Sequence, residues 1–281
     1  MSDQPQTSVP DIALTGGTTI PQVGFGVFEV SGDETAASVT AALEAGYRSI
    51  DTAAIYFNEA EVGQAVRDSG IPREDLRVTT KLWNSDQGHD NALAAFDASI
   101  ERLGLDYVDL YLIHWPSPGR DLYLETWRAL ESLLAAGRTR AIGVSNFQVP
   151  HLERLLAETD VVPAVNQIEL HPNLPQAELR TFNQAHGIAT EAWSPLARGG
   201  ALLADPTITG IAGRHGVTPG QVILRWHIEL GNIVIPRSVN PGRIAQNIDL
   251  FGFSLDAADL HQIAALDNGG RIGPNPDTYD V

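Results

Sequence analysis

Apolar residues in this chain fall into short dense runs, separated by longer stretches in which they recur every three to four positions. Eight runs read as strands: Val23–Phe25, Tyr47–Asp51, Leu76–Lys81, Val108–His114, Thr139–Val144, Val165–Leu170, Ala189–Trp193 and Ile233–Pro236. Most lack polar alternation, as strands buried on both faces should. Helical patterns lie between them, over Thr35–Ala45, Asn58–Asp68, His89–Leu103, Asp121–Ala136, Val149–Glu158, Gln176–His186 and Pro206–His215. Several stop at a glycine, such as Gly46, Gly104 and Gly137. Thr218-Pro219 and Asn240-Pro241 each pair a capping side chain with proline at the first helical position. They open helices to Leu230 and over Gly242–Phe251, and Asp256–Leu266 forms the last. Ahead of the first run, Ile12-Ala13-Leu14 and Thr18-Thr19-Ile20 flank Gly16-Gly17, which predicts a β-hairpin. Eight strand–helix units predict an α/β fold, a closed (β/α)8 barrel forming one domain over residues 1–281. A Gly/Pro-rich tail, Gly270–Val281, follows it.

Composition narrows the function classes. The net charge of -17 argues against a nucleic-acid backbone as partner. There are no cysteines, which removes disulfides, thiolate nucleophiles and cysteine–zinc sites together. Met1 to Val9 is polar and lacks the build of a signal peptide, and no apolar run approaches the ~20 residues of a membrane span. The expectation is a soluble, cytoplasmic, monomeric protein.

Candidate chemistry gathers at strand ends. Asp51, Lys81 and His114 end three separate apolar runs, Tyr56 stands just after the first, and Ser145-Asn146 follow a fourth. In a barrel of alternating strands and helices, active sites assemble at the carboxyl ends of the strands. Asp, Tyr, Lys and His there form a possible acid–base set for donating a proton to a carbonyl. Gly24-x-Gly26 lacks a third glycine and a following helix, so a Rossmann dinucleotide domain is disfavoured.

Longer motifs carry a resemblance. Asp51-Thr52-Ala53-x-x-Tyr56-x-Asn58-Glu59, Thr80-Lys81-Leu82-Trp83, Asp109 to Pro116, Ile142 to Phe147, Pro163 to Glu169 and Ile235-Pro236-Arg237-Ser238 occur in that order. The chain resembles the aldo-keto reductases from about Ile12 to Leu266, and is most similar to the bacterial 2,5-diketo-D-gluconate reductase group. The resemblance implies a (β/α)8 barrel that reduces carbonyls with NADPH. It makes Asp51, Tyr56, Lys81 and His114 the catalytic set. A free phenol near pKa ~10 is a poor acid at pH 7, and a nearby ammonium should lower it. Lys81 can supply that charge, Asp51 can hold Lys81, and His114 can orient the substrate oxygen.

The resemblance also implies a cofactor site. Ser145, Asn146 and Gln167 meet the nicotinamide carboxamide, which needs both donors and acceptors. Trp193, followed by Ser194 and Leu196, stands where many relatives stack a tyrosine on the nicotinamide. Arg237, Ser238 and Arg243 meet the 2′-phosphate, a task suited to guanidinium, and the helix opening at Asn240-Pro241 adds its free N–H groups. Gln246 stands where many relatives have Glu, and Asn247 falls at the adenine contact. Phe25, Phe28, Trp83, His114 and Trp115 are expected at the substrate mouth, with Gly270–Val281 as the substrate loop. Its shortness points to small polar carbonyls, including 2,5-diketo-D-gluconate and methylglyoxal-like dicarbonyls.

Two rival readings are a non-enzymatic NADPH-sensing partner with the same fold and a metal-dependent barrel hydrolase. The complete acid–base set favours the enzyme over the first. The histidines His89, His114, His151 and His171 follow no metal-binding spacing, and no metal is expected.

Overall fold

The computed structural model describes residues 9–280; the polar start before Val9 and the terminal Val281 lie outside the described residues. β1 (Asp11–Ala13) and β2 (Thr19–Pro21) form the expected antiparallel hairpin, with Ile12 opposite Ile20. Gly16 and Gly17 turn it at φ 88° and 84°, a region that favours glycine. Leu14 and Ile20 pack on Leu110, Leu112, Val165 and Ile233, so the hairpin plugs the amino end of the barrel.

The barrel alternates as the pattern predicts. Its units are β3 (Phe25–Gly26) and α1 (Gly32–Glu44); β4 (Ser49–Asp51) and α2 (Glu59–Asp68); β5 (Arg77–Leu82) and α3 (His89–Leu103); β6 (Val108–Ile113) and α4 (Tyr123–Ala135). They continue with β7 (Thr139–Ser145) and α5 (Val149–Glu158); β8 (Val165–Glu169) and α6 (Ala177–Ala185); β9 (Ala189–Trp193), α7 (Pro206–His215) and α8 (Pro219–Glu229). Last come β10 (Ile233–Val234), α9 (Pro241–Ile248) and α10 (Ala257–Ala264). Strands β3 to β10 form one parallel sheet in sequence order. Its edges meet through a parallel bridge between Val23 and Val234, where Gly24 N donates to the Val234 carbonyl at 2.8 Å and Val234 N to the Gln22 carbonyl at 3.0 Å.

A few boundaries differ from the pattern. The first barrel strand is Phe25–Gly26 rather than Val23–Phe25, because Val23 serves the closing bridge. The last ends at Val234, since Pro236 has no N–H for a ladder. α9 stops at Ile248, where Asp249 turns out of the helical region at ψ 74°, well short of Phe251. The proline-opened helices form as expected: Asn240 Oδ1 accepts from Arg243 N at 3.1 Å, and Thr218 with Gln221 completes a capping box. Gly63 allows α2 its close approach to α3, for a side chain there would collide with the Leu103 carbonyl. No helix is long and apolar enough to cross a membrane among the described residues.

Candidate active site

The four proton-transfer candidates converge at the carboxyl end of the barrel. Asp51 ends β4, Lys81 lies one residue from the end of β5, and His114 follows β6, its backbone N–H donating to the Leu82 carbonyl at 3.1 Å. Tyr56 closes a 3₁₀ turn, Ala54–Tyr56, that is fixed on both sides. Thr52 Oγ1 donates to Asn58 Oδ1 at 2.7 Å, and Asn58 Nδ2 to the Val27 carbonyl at 3.0 Å. Glu59, buried at the start of α2, accepts from Thr80 Oγ1 on β5 at 2.6 Å and pairs with Arg102. The turn carrying the phenol is thereby held to β5 and to the segments that follow β3 and β4.

Lys81 has no exposed surface, and its three donors all find acceptors: Asp51 Oδ1 at 2.6 Å, the Thr52 carbonyl at 2.9 Å and Tyr56 Oη at 3.4 Å. Burial alone would lower the ammonium pKa. The charges of Asp51 and Tyr56 outweigh burial and raise it above its ordinary value, so Lys81 stays charged. Tyr56 corrects the expected direction: burial raises its pKa by more than Lys81 lowers it, and the net shift is upward. At neutral pH the phenol therefore holds its proton, and the Lys81 charge lowers the cost of losing it. His114 is lowered well below the ordinary imidazole value, by burial and then by the Lys81 charge. It is a neutral imidazole at pH 7, able to donate one hydrogen bond. Its ring meets Tyr56 and Trp83 edge-on, with centroids 5.8 and 5.2 Å away.

Asp51, Tyr56, Trp83 and His114, with Lys81 buried behind them, line one cleft of about 860 Å³ that runs from Tyr56, His114 and Trp115 to Arg243, Gln246 and Asn247. Ser145, Asn146 and Gln167 meet at its floor and are tied to one another. Ser145 Oγ donates to the Gln167 carbonyl at 2.8 Å; Asn146 Nδ2 donates to Ser145 Oγ at 3.1 Å and to the His114 carbonyl at 3.0 Å. Gln167 Nε2 donates to Asp51 Oδ2 at 2.8 Å and Glu191 Oε2 at 3.0 Å. With both amide hydrogens so committed, Gln167 has its side-chain oxygen, which takes no hydrogen bond among the described residues, left for a ligand. Trp193 Nε1 donates to Asn146 Oδ1 at 2.8 Å, which fixes the indole beside this trio. Ser194 and Leu196 line the same cleft, Ser194 at φ 47°.

At the far end stand Arg237, Ser238 and Arg243. Arg237 lies 3.7 Å from Glu29, and Arg243 Nε donates to Ser238 Oγ at 3.4 Å. Among the described residues, Arg243 has no carboxylate within ion-pair distance. A guanidinium without a carboxylate partner, an adjacent hydroxyl and the capped start of α9 make a donor set suited to a phosphate.

On the substrate side, Trp83, Trp115 and Phe28 line the cleft as expected, while Phe25 does not. Phe25 is fully buried and packs edge-on against Tyr47 at 5.6 Å, whereas its neighbour Gly26 lines the cleft. Successive strand residues face opposite ways, so Gly26 facing the cleft turns Phe25 toward the helical shell. The tail crosses the mouth. Ile272 N and Gly273 N donate to the buried Glu169 carboxylate at 2.6 and 2.8 Å, and the Tyr279 ring lies 4.6 Å from that of Trp115. A β-carbon at Gly273 would come within 2.5 Å of the Trp193 ring. Burial opposes the Glu169 charge, but His171 and the two tail N–H groups overcome it and hold the carboxyl below its ordinary range. Glu169 and Glu191 had no role assigned from sequence. Glu191 is a carboxylate in a strand that is otherwise Ala, Thr, Ala and Trp, and that break in pattern is the signal that could have found it.

A model described as the aldo/keto reductase family matches residues 17–268. The chain belongs to the aldo/keto reductase family. It is 60% identical to an aldo-keto reductase of Mycolicibacterium smegmatis, over 96% of this chain and 98% of the relative. It is 52% identical to a glyoxal reductase of Bacillus subtilis, over 96% and 98%. Among solved structures, a mutant of Gox0644 in complex with NADPH matches with a TM-score of 0.93 and 48% identity, over 97% of this chain and 99% of that one. The fold is thus the aldo/keto reductase barrel.

Proposed function

We propose that this aldo/keto reductase uses NADPH to reduce small aldehydes and dicarbonyls, with Tyr56 as proton donor. The observation that carries the reading is the Lys81 ammonium, buried between the Asp51 carboxylate and the Tyr56 hydroxyl at the floor of the cleft. The cleft fits the cofactor by its donor set: Arg243, with no carboxylate partner among the described residues, at one end, and the Gln167 side-chain oxygen and Trp193 ring at the other. Arg237, Ser238 and Arg243 would hold the 2′-phosphate, Gln246 and Asn247 the adenosine, and Ser145, Asn146 and Gln167 the carboxamide. NADPH supplies the hydride when bound.

The chain's own residues do the rest. His114, neutral, donates to the carbonyl oxygen and sets its direction. Tyr56 gives its proton to that oxygen as charge develops on it, and Lys81 stabilises the phenolate left behind. Such proton donation contributes roughly 10²–10⁴ in rate. Trp83 and Trp115 wall the carbonyl's apolar side, and the tail narrows the mouth to small substrates. One chain supplies every group, so a monomer suffices, and we place the enzyme in the cytoplasm. The likeness to a relative named glyoxal reductase supports short dicarbonyls as substrates of this chain, methylglyoxal among them, with 2,5-diketo-D-gluconate as a longer candidate. NADPH oxidation against a panel of these carbonyls tests the reading. Turnover of dicarbonyls supports it, whereas tight NADPH binding without turnover of any carbonyl would establish the sensor alternative instead.

A further inference from the structure

Glu191 lies in the middle of β9, buried in the barrel interior and opposite Gln167 in the β8–β9 register. A chain of close polar contacts runs from it to the phenol. Glu191 Oε2 takes one amide hydrogen of Gln167 at 3.0 Å, and Asp51 Oδ2 takes the other at 2.8 Å. Asp51 Oδ1 takes Lys81 Nζ at 2.6 Å, and Lys81 Nζ stands 3.4 Å from Tyr56 Oη. One end of this chain is loose: Glu191 Oε1 is buried without a partner. An anionic oxygen left bare in an interior is costly, and a neutral carboxyl is much less so. The titratable groups facing Glu191 are Asp51 from β4, Lys81 from β5 and Tyr56 from the turn; from β8 it meets the uncharged Gln167. Burial and the Asp51 charge push the Glu191 carboxyl up to about 7, against the pull of Gln167 and Lys81.

We infer that Glu191 is a positioning residue for proton transfer: it holds Gln167, and through it the Asp51–Lys81 pair, and its protonation sets the net charge beneath Tyr56. The inference rests on Tyr56 being the proton donor. With Glu191 neutral, Asp51 and Lys81 cancel, and the phenolate that forms meets a balanced interior. With Glu191 ionised, the interior carries one excess negative charge, which raises the phenol pKa further and opposes its loss of a proton. No proton passes from Glu191 to substrate; it exchanges its own with solvent. Folding is linked to the same titration. A carboxyl whose pKa is higher folded than unfolded contributes stability in full below its unfolded value, and that stability is lost as pH rises through about 7.

Glu191→Gln keeps the shape and an oxygen acceptor for Gln167 while removing the charge. Three measurements on the full chain test it: reductive kcat at saturating NADPH and carbonyl from pH 5.5 to 8.5, infrared titration of carboxyl groups without cofactor, and thermal melting at pH 5 and pH 8. The wild type should lose about three- to tenfold in kcat through neutral pH, the effect of half to one pKa unit on the phenol. Glu191→Gln should be flat there. A protonated-carboxyl band should titrate near neutrality in the wild type and be missing from the variant, which should gain Tm at pH 8 but not at pH 5. Superimposable kcat profiles, or no carboxyl titrating above pH 6 in the wild type, overturn the inference. If the variant does not fold, the wild-type infrared titration decides alone. Tyr56→Phe separates the two claims. Lost turnover there with matching profiles for wild type and Glu191→Gln overturns the inference alone; retained turnover there overturns the reading of Tyr56 and this tuning with it.

Discussion

The two ends of the cleft are built on opposite terms. At the proposed proton-transfer end, Lys81 is wholly buried and its hydrogens are all placed on Asp51, Thr52 and Tyr56. At the proposed phosphate end, the Arg237 side chain is 42% exposed, meets the Glu29 carboxylate at 3.7 Å and donates to the Glu29 backbone carbonyl at 3.2 Å. Charge developing in a reaction is best met by dipoles that need no rearrangement, and a dry interior provides them. A cofactor that must bind and leave is better met by exposed arginines, whose attraction water and salt keep moderate. On this reading the chain places its chemistry in a buried, fully bonded interior and leaves cofactor capture to exposed surface charge.

The comparison breaks most visibly at the rigid end. Tyr56→Phe should cut kcat by about 10²–10⁴ while leaving NADPH affinity nearly unchanged, as read by turnover beside a fluorescence titration. Lys81→Met should lose a comparable factor. It also strands the Asp51 carboxylate in the interior, so Tm should drop by the equivalent of about 3–5 kcal/mol. Because the two residues act as a unit, the double variant should be little slower than either single one. At the open end, Arg243→Ala should raise the NADPH dissociation constant about ten- to a hundredfold and that for NADH far less, the loss of a charged hydrogen bond worth roughly 1.5–3 kcal/mol. Fold and kcat at saturation should hold.

Smaller effects sharpen the contrast. Truncation after Leu266 removes the Ile272, Gly273 and Tyr279 contacts. It should change kcat/KM unevenly across a carbonyl panel yet keep NADPH affinity within about threefold, below ~1 kcal/mol. A uniform loss across the panel would make the tail structural. Smallest of all, Glu29→Gln frees Arg237 from a competing carboxylate and should tighten NADPH by about two- to threefold in low salt, an effect that 0.5 M salt should erase.

Much of this was legible in the sequence because the signals were local. Apolar runs without alternation marked the strands, and Thr218-Pro219 and Asn240-Pro241 marked two helix starts to the residue. The four proton-transfer candidates could be placed at or just beyond strand ends because a barrel turns strand ends into one surface. What failed was orientation and reach. Phe25 and Gly26 form a strand of two residues, apolar on both faces, so nothing in the pattern says which one meets the cleft. The Glu169 clamp on the tail joins positions more than a hundred residues apart and leaves no local trace. The upward shift of Tyr56 depends on how much water the fold removes, which neighbouring residues cannot state.

Lys81 has one more property: it is the only lysine in the chain, the other 17 of its 18 basic residues being arginines. The folded surface offers no ε-amine to an amine-selective reagent, because the single one is sealed in the barrel. Reaction at that side chain requires the interior to open, so its rate is a clock for opening. In mild conditions, mass-spectrometric labelling of Lys81 would read how often the barrel breathes, from a single site and without an introduced probe.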